Sequence, residues 1–292
     1  MDSVHIPVPN ERPTRQIMMI VARIVSFALK IIIAGLIGTA FILPLLWVIF
    51  TAFNASPTYT LSIPRQWSLG NMALLSQSDT ALPSLWNSIV LSVGTAVLCI
   101  ALGSLASYAL SRIKIPGSDL ICYLILLISS VGTGTAAMVP LFQLMTDMRL
   151  IDHQFGVILV LTAIALPSTI FVLKDRLDSV PKSYEESARL MGAGPLRILC
   201  QIVAPIIRSS IAFTAIWALK NTWSDFLIPY LLLRDADKQP AAVTMYTFYT
   251  EGGQANIGML CAFALVFSIP AIALYIIINR VWGFAFSSGL KG

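Results

Sequence analysis

The chain has 292 residues, of which 57% are hydrophobic and only 11% charged, with a mean hydropathy of +0.82. Soluble domains carry about 25% charged residues, so this composition excludes a soluble globular protein and points to an integral membrane one. The formal charge of +5 requires no nucleic-acid partner, because the basic residues collect on one side of the predicted membrane.

Residues 1–30 read as a polar arm (Glu11, Arg12, Arg15) leading into an amphipathic stretch, and residues 31–292 as a single transmembrane domain. Ile31–Phe50 is charge-free and twenty residues long, about what a helix needs to cross roughly 30 Å of hydrocarbon. It is too long, and wrongly flanked, for a cleaved signal peptide. Five further apolar runs follow: Leu85–Leu110, Leu120–Met145, Phe155–Leu173, Ile206–Leu233 and Ile257–Val281. Six spans put both termini on one side. With the N-terminus in the cytoplasm, fourteen of the nineteen Lys and Arg residues fall inside and only Arg65, Arg149, Arg234 and Lys238 outside, with Lys220 within a span. That asymmetry fixes the orientation by the positive-inside rule. The expected fold is therefore all-α and polytopic, with six transmembrane helices, both termini cytoplasmic, and lipid around it. Pro167 and Pro270 are expected to kink the fourth and sixth spans.

Between the fourth and fifth spans lies a polar island, about residues 174–208, placed in the cytoplasm. Ser183 with Glu186 three residues on has the spacing of a capping box. Gly192 and Gly194 are expected to stop that helix through positive φ. Pro195 suits the first turn of a second helix. A helix, a Gly-rich bend and another helix at the membrane surface suggest a dock for another protein. Glu185 and Glu186 could make charge-assisted contacts to a basic rim; alternatively Glu186 only caps its own helix.

In the fifth span, Lys220, Asn221 and Asp225 sit with Trp217 and Trp223 among apolar residues. Ionisable groups at that depth usually face a cavity or a partner. Asn221 and Asp225, at i,i+4, share a helical face, while Lys220 and Asp225 do not. Lys220, Asn221, Trp223 and Asp225 either line a translocation path or act as interhelical glue.

Other chemistry is absent from the sequence. Cys99, Cys122, Cys200 and Cys261 lack metal-ligand spacing and imply no disulfide framework. His5 and His153 stand alone and read as solvated. There is no phosphate-binding loop, no catalytic constellation and no His-Glu-x-x-His motif. The chain is expected to be a transport subunit rather than an enzyme, with no metal and no cofactor of its own.

The island resembles the EAA loop of binding-protein-dependent ABC importer permeases. On that alignment Glu186, Ser187 and Ala188 take the Glu-Ala-Ala positions, Gly192-Ala193 the Gly-Ala, and Pro205 the closing proline. The resemblance extends to the carbohydrate-uptake branch through Asn87-Ser88, Tyr108-Ala-Leu-Ser-Arg112, Pro140-Leu-Phe142, Leu150-Ile-Asp152, Trp223-Ser-Asp-Phe-Leu227 and Gly289-Leu-Lys-Gly292. It covers nearly the whole chain from about residue 40. Two positions depart from the pattern: Ser187 replaces an alanine, and Met191 stands where most relatives carry Asp.

The resemblance implies half of a heterodimeric pathway for a sugar or related polyol in a bacterial or archaeal inner membrane. Its implied partners are a second permease, a dimer of ATPases binding ATP and Mg, and an extracytoplasmic solute-binding protein. It implies that Glu185, Glu186, Ser187, Ala188, Gly192 and Ala193 couple to the ATPase, and that Gly289, Leu290, Lys291 and Gly292 reach the ATPase interface. It further implies that Glu251, Gly252, Gly253 and Gln254 touch the binding protein, although that Gly-Gly also fits an ordinary turn. The alternatives are an importer of a non-sugar solute, an ion-coupled secondary carrier, or a membrane-embedded enzyme. The carrier is disfavoured because no inverted repeat is evident and Asp225 is the sole midplane carboxylate.

Overall fold

The computed structural model describes residues 12–113, 117–131, 137–250 and 256–282. Among them the chain is helical, and the one strand-like contact is an isolated bridge between Asn54 and Trp67. In order the helices are α1 (Arg12–Ala52), α2 (Gly70–Ser76), α3 (Ala81–Arg112), α4 (Ser118–Val131), α5 (Met138–Asp147), α6 (Gln154–Asp178), α7 (Ser183–Leu190), α8 (Pro195–Ile198), α9 (Ala204–Ile206), α10 (Arg208–Trp223), α11 (Leu227–Leu232), α12 (Ala241–Thr250) and α13 (Ile257–Trp282).

Among the described residues four helices are long and apolar enough to cross a membrane, namely the Val25–Ala52 part of α1, α3, α6, and the Ile257–Ile277 part of α13; residues 195–206 with α10 make a fifth if that bent pair is one span. The third predicted span holds α4 and α5, with residues 132–136 between them outside the described residues. The fifth is not continuous: it breaks after Trp223 and resumes as the six-residue α11. The break has a local cause: the Asp225 carboxylate accepts the Ile228 backbone N–H at 3.0 Å and so starts a new helix. Helix α1 runs without interruption through the predicted arm–span boundary at residue 30.

The centre of the bundle is α3, which packs along α6 and α10, while α1 lies against α13 and α4 against α6. Small residues permit the close approach of α3 and α6. A Cβ on Gly94 would stand 2.7 Å from Ile158, and one on Gly103 would stand 2.6 Å from Thr169, a spacing only glycine allows. At the end of α1, the buried Asn71 side chain donates to the carbonyls of Ala52 (3.0 Å) and Asn54 (3.1 Å), satisfying groups the helix leaves open. The apolar window of α1 is uncovered by the rest of the chain, a surface suited to hydrocarbon.

Replacing Gly103 by valine should force α3 from α6 and cost about 1–3 kcal/mol, seen as a lowered melting temperature of the purified protein in detergent. Gly38→Val, where nothing lies within 4 Å, is the control and should melt as the parent does. Equal melting of the two variants would show that this helix pair is not closely packed.

Candidate functional site

The polar island folds as predicted in outline, with different local chemistry. Helix α7 begins one residue earlier in bonding terms: Lys182 is the N-cap, its carbonyl accepts from the amides of Glu185 and Glu186 (both 3.0 Å), and no side chain caps the end. The expected capping box of Ser183 and Glu186 is therefore not formed. Ser183 already lies inside the helix, where its carbonyl accepts the Ser187 hydroxyl at 2.9 Å. Gly192 has φ +84° and closes α7 in a Schellman motif: Ala193 N–H donates to Ala188 O (3.0 Å) and Gly192 N–H to Arg189 O (2.9 Å). Gly194, also expected at positive φ, has φ −72° and is instead the N-cap of α8, with Pro195 following.

Beyond α8 the chain makes one π-helical turn, Leu199–Val203, in which Ala204 N–H reaches back to Leu199 O. Pro205 lacks the N–H that an α-helix would need there. Residues 195–206 then meet α10 at 87°, so the loop lies across the bundle axis.

One ion pair pins this loop to α3, and a second ion-pair group beside it joins α3, α4 and α6. Glu185 faces inward, not toward a partner. Its carboxylate accepts Arg112 Nε at 2.6 Å and Tyr108 Oη at 2.9 Å, and the Arg112 and Glu185 side chains are 5% and 4% exposed. Arg112 also donates to Val180 O (3.2 Å) and Ser111 Oγ (2.9 Å). Ser111 donates to Asp178, and Lys174 donates to both Asp178 (2.7 Å) and Asp119 of α4 (2.7 Å). Beneath this polar frame, Ala188 is buried against Ile198, Leu199 and Val203. Glu186, Ser187 and Gly192 are exposed, and Ala193 is half-buried.

Sequence reasoning placed Glu185 outward and gave Arg112 no partner. The available signal was the i,i+3 spacing of Glu185 and Ala188, which puts the carboxylate on the apolar face of α7.

At the opposite end of the bundle a second clasp ties the segment before α12 to α3 and α6. Asn87 donates to the carbonyls of Asp237 (2.7 Å) and Gln239 (3.1 Å), and its own oxygen accepts Gln154 Nε2 (2.9 Å). The Ser88 hydroxyl accepts the amide of Ala241 (2.8 Å). Asp152, at φ +61°, accepts the amides of Arg234 (3.2 Å) and Asp235 (3.1 Å) and pairs with Lys238 (3.2 Å). These bonds, the Asp235 amide foremost, hold the Asp152 carboxyl below its ordinary pKa, and Lys238 is correspondingly raised.

The four predicted path residues do not share a face. Lys220 is exposed and borders a recess of about 250 Å³ with Ile89, Ser92 and Pro270. Asn221 is exposed. Trp223 is buried, stacked on Phe267 at 5.3 Å, and its Nε1 donates to Phe267 O at 3.3 Å. Asp225 has left α10, so its i,i+4 relation to Asn221 lapses. The predicted contacts at 251–254 and 289–292 lie outside the described residues. Among the described residues no cluster of His, Cys, Asp and Glu could hold a metal ion.

Residues 17–284 match the family described as binding-protein-dependent transport system inner membrane component, and the chain belongs to that family. It is 30% identical to the diacetylchitobiose uptake permease NgcG of Streptomyces coelicolor, over 82% of this chain and 80% of that one. It is 26% identical to the maltodextrin permease MdxG of Bacillus subtilis (89% and 94%), and 28% to the trehalose permease SugB of Mycobacterium tuberculosis (82% and 88%). In fold it resembles a chain of a bacterial alginate ABC importer, with a TM-score of 0.74 at 17% identity, covering 96% and 100%. The resemblance to the carbohydrate-uptake branch is thus borne out. The protein is a multi-pass permease subunit of an ABC importer and not an enzyme; ATP hydrolysis belongs to a separate partner.

Removing Arg112 leaves the Glu185 carboxylate buried and unpaired, which should cost about 3–5 kcal/mol. Arg112→Ala and Glu185→Ala should each melt well below the parent, whereas Arg112→Met combined with Glu185→Leu should recover much of the loss. A combined variant no better than the worse single would show that the pair is not coupled. At the other clasp, a carboxyl with a depressed folded pKa stabilises above its ordinary value of 3.8 and loses that contribution as pH falls through the folded value. The melting difference between the parent and Asp152→Asn should therefore be full at pH 7, begin to shrink only as pH falls past 3.8, and disappear in stronger acid once the folded carboxyl is protonated. A difference that persists unchanged into stronger acid would show that ionised Asp152 is not what holds the clasp.

Proposed function

We propose that this chain is one of two homologous permease subunits of an ATP-driven importer for a disaccharide or short oligosaccharide. In this reading both termini and the α7–α9 loop lie in the cytoplasm, an orientation supported by the Lys and Arg asymmetry. The loop seats in a dimer of ATPases that bind ATP and Mg, and a solute-binding protein delivers substrate at the Asp152–Lys238 end. Residues 251–254 would meet that binding protein, and residues 289–292 the ATPases. Lys220 and Asn221, exposed on α10, would face the path, while Trp223 and Asp225 shape the helix that carries them.

The observation that carries the reading is a rigid helix–turn–helix with an apolar tip. Leu190 is 90% exposed, Met191 82%, Leu196 64% and Tyr184 57%, on a loop held by the buried Arg112–Glu185 pair. Large apolar side chains displayed this way mark a protein-docking surface. Met191, 82% exposed, supplies apolar contact area at the turn, so in this reading the dock depends on apolar contact. The sugar class rests on the relatives, named for diacetylchitobiose, maltodextrin and trehalose uptake.

A mild-detergent pull-down of the tagged chain should retain an ATPase, a second permease and a solute-binding protein. The complex, reconstituted in vesicles, should import one of trehalose, maltotriose or diacetylchitobiose when supplied with ATP. A chain that purifies alone and transports without ATP would overturn the reading. Valine at Gly192 cannot hold φ +84° without strain of about 1–2 kcal/mol and should unseat the tip. ATP hydrolysis should then continue while uptake falls at least tenfold. Unchanged uptake in that variant would show that the turn does not transmit the stroke.

A further inference from the structure

The segment that follows α1 alternates between polar and apolar residues without forming a strand. Tyr59, Leu61, Ile63, Trp67 and Leu69 take the odd positions, with Arg65 among them, and Thr58, Thr60, Ser62, Gln66 and Ser68 the even ones. The first hydroxyls turn toward one another, Thr58 Oγ1 lying 3.5 Å from Thr60 Oγ1 and 3.2 Å from Ser62 Oγ. The apolar side chains are left in the open: Tyr59 is 73% exposed, Ile63 74% and Trp67 62%, and Leu61 and Leu69 are exposed too. This display is tied down at its far end. Asn54 and Trp67 form the antiparallel bridge, Ser68 N–H donates to Phe53 O at 2.9 Å, and the Trp67 ring meets Phe50 of α1 edge-on at 6.0 Å.

Apolar side chains exposed together mark a protein-binding or a membrane-binding surface. Three observations favour the membrane. First, the segment continues a helix whose apolar window the rest of the chain leaves uncovered, and the Phe50 contact puts an indole at the end of that helix. Trp and Tyr collect at this depth, ring toward the acyl chains and polar edge in the headgroups. Second, no acidic residue lies between Glu11 and Asp79, and Arg65 has no acidic partner among the described residues. It borders a recess of about 450 Å³, mostly polar in its lining, with Asn54, Ser56, Thr58 and Gln66. A guanidinium among polar groups suits a lipid phosphate. Third, the Val25–Ala52 part of α1 has 28 residues, about 42 Å at the α-helical rise, against roughly 30 Å of hydrocarbon. A helix with that excess can slide or tilt unless its end is held.

We propose that residues 58–69 are an interfacial anchor. Tyr59, Leu61, Ile63, Trp67 and Leu69 sit in the lipid headgroup layer, Arg65 meets lipid phosphate, and the anchor sets the depth at which α1 crosses. In the orientation proposed above this layer is the outer leaflet. The anchor needs α1 to cross the membrane but does not depend on the cargo, so it can fail while the importer reading stands.

The test uses the whole complex in vesicles of phosphatidylethanolamine and phosphatidylglycerol, with Cys200, the one exposed native thiol among the described residues, changed to serine. A nitroxide is attached in turn to Tyr59→Cys, Leu61→Cys, Ile63→Cys and Leu69→Cys, and to Thr60→Cys and Gln66→Cys. Its relaxation by oxygen, which partitions into lipid, is compared with that by a water-soluble nickel chelate. The oxygen-to-nickel ratio at the four apolar positions should exceed that at Thr60 and Gln66 by at least about threefold. Equal ratios would place the apolar side chains in water and overturn the anchor. Protection from both reagents would show that protein covers the segment, the binding protein or the second permease according to which omission restores access, and would overturn it as well. A nitroxide at Leu36→Cys, on the uncovered part of α1, then reads the depth of that helix. Ile63→Ser combined with Trp67→Ser should move this label by at least ~1.5 Å, the rise of one residue. An unmoved label would show that the segment does not set the depth of α1, and would overturn that half of the proposal.

Discussion

The contact on which the rest of this structure depends is the buried pairing of Arg112 with Glu185. Helix α7 has eight residues, too few to be stable alone in water, where isolated helices shorter than about 12–15 residues are marginal. Its apolar anchor is slight, chiefly Ala188. What fixes its direction is a carboxylate sunk beneath it and bound by a guanidinium and a phenol from the end of α3. Burying such a pair carries a large desolvation cost, so it need not add net stability. It does make the arrangement specific, because any tilt of α7 that separates the charges leaves them both unpaired. A lever that must carry force needs that steepness more than it needs depth.

Helix α3 is held in the same manner at both ends. Tyr108, Ser111 and Arg112 grip the α7 end, while Asn87 and Ser88 grip the strap that leads into α12. Between them the helix has few polar bonds and relies on close approach to α6 through Gly94 and Gly103. The division is physical. In the apolar middle, packing is the available force, since lipid competes for any hydrophobic surface. At the ends, side-chain hydrogen bonds to backbone carbonyls and amides fix a register that packing alone would leave free to slide.

Much of this was legible in the sequence, and the limits are instructive. Apolar length located α1, α3, α6 and α13, because crossing hydrocarbon imposes a length that composition cannot disguise. Gly192 and Pro195 were legible because each has one dominant conformational use. Gly194 was misread from its residue type alone, since a glycine also serves at an N-cap. The capping box failed because spacing does not say which residue's carbonyl starts the helix; a one-residue shift made Lys182 the cap. The shared face of Asn221 and Asp225 assumed that α10 continues, but Asp225 is the residue that restarts the chain as α11. Glu185 was taken for a surface charge because its partner lies 73 residues away, beyond any local pattern.

Several short motifs that carried the family resemblance prove to be joints. Asn87-Ser88, Tyr108 with Arg112, and Asp152 are the points where an irregular segment is bonded to a span. The Trp223–Leu227 stretch is where a span breaks and is restarted. None of these residues carries chemistry of its own, and each would be an ordinary polar residue elsewhere. Their placement follows from what a passive transport subunit must do, which is to move rigid helices without letting the ends slip. On that view α4 and the interrupted fifth span are the elements least fixed by such joints. Helix α4 meets α6 through the Asp119–Lys174 ion pair, in which Asp119 is largely exposed and the lysine shared with Asp178, and through the Tyr123 ring, 6.0 Å from that of Phe171. An exposed ion pair contributes little stability in water, so the apolar contact, with Cys122 buried beside it, is what sets α4 against α6, and the ion pair serves to fix its register.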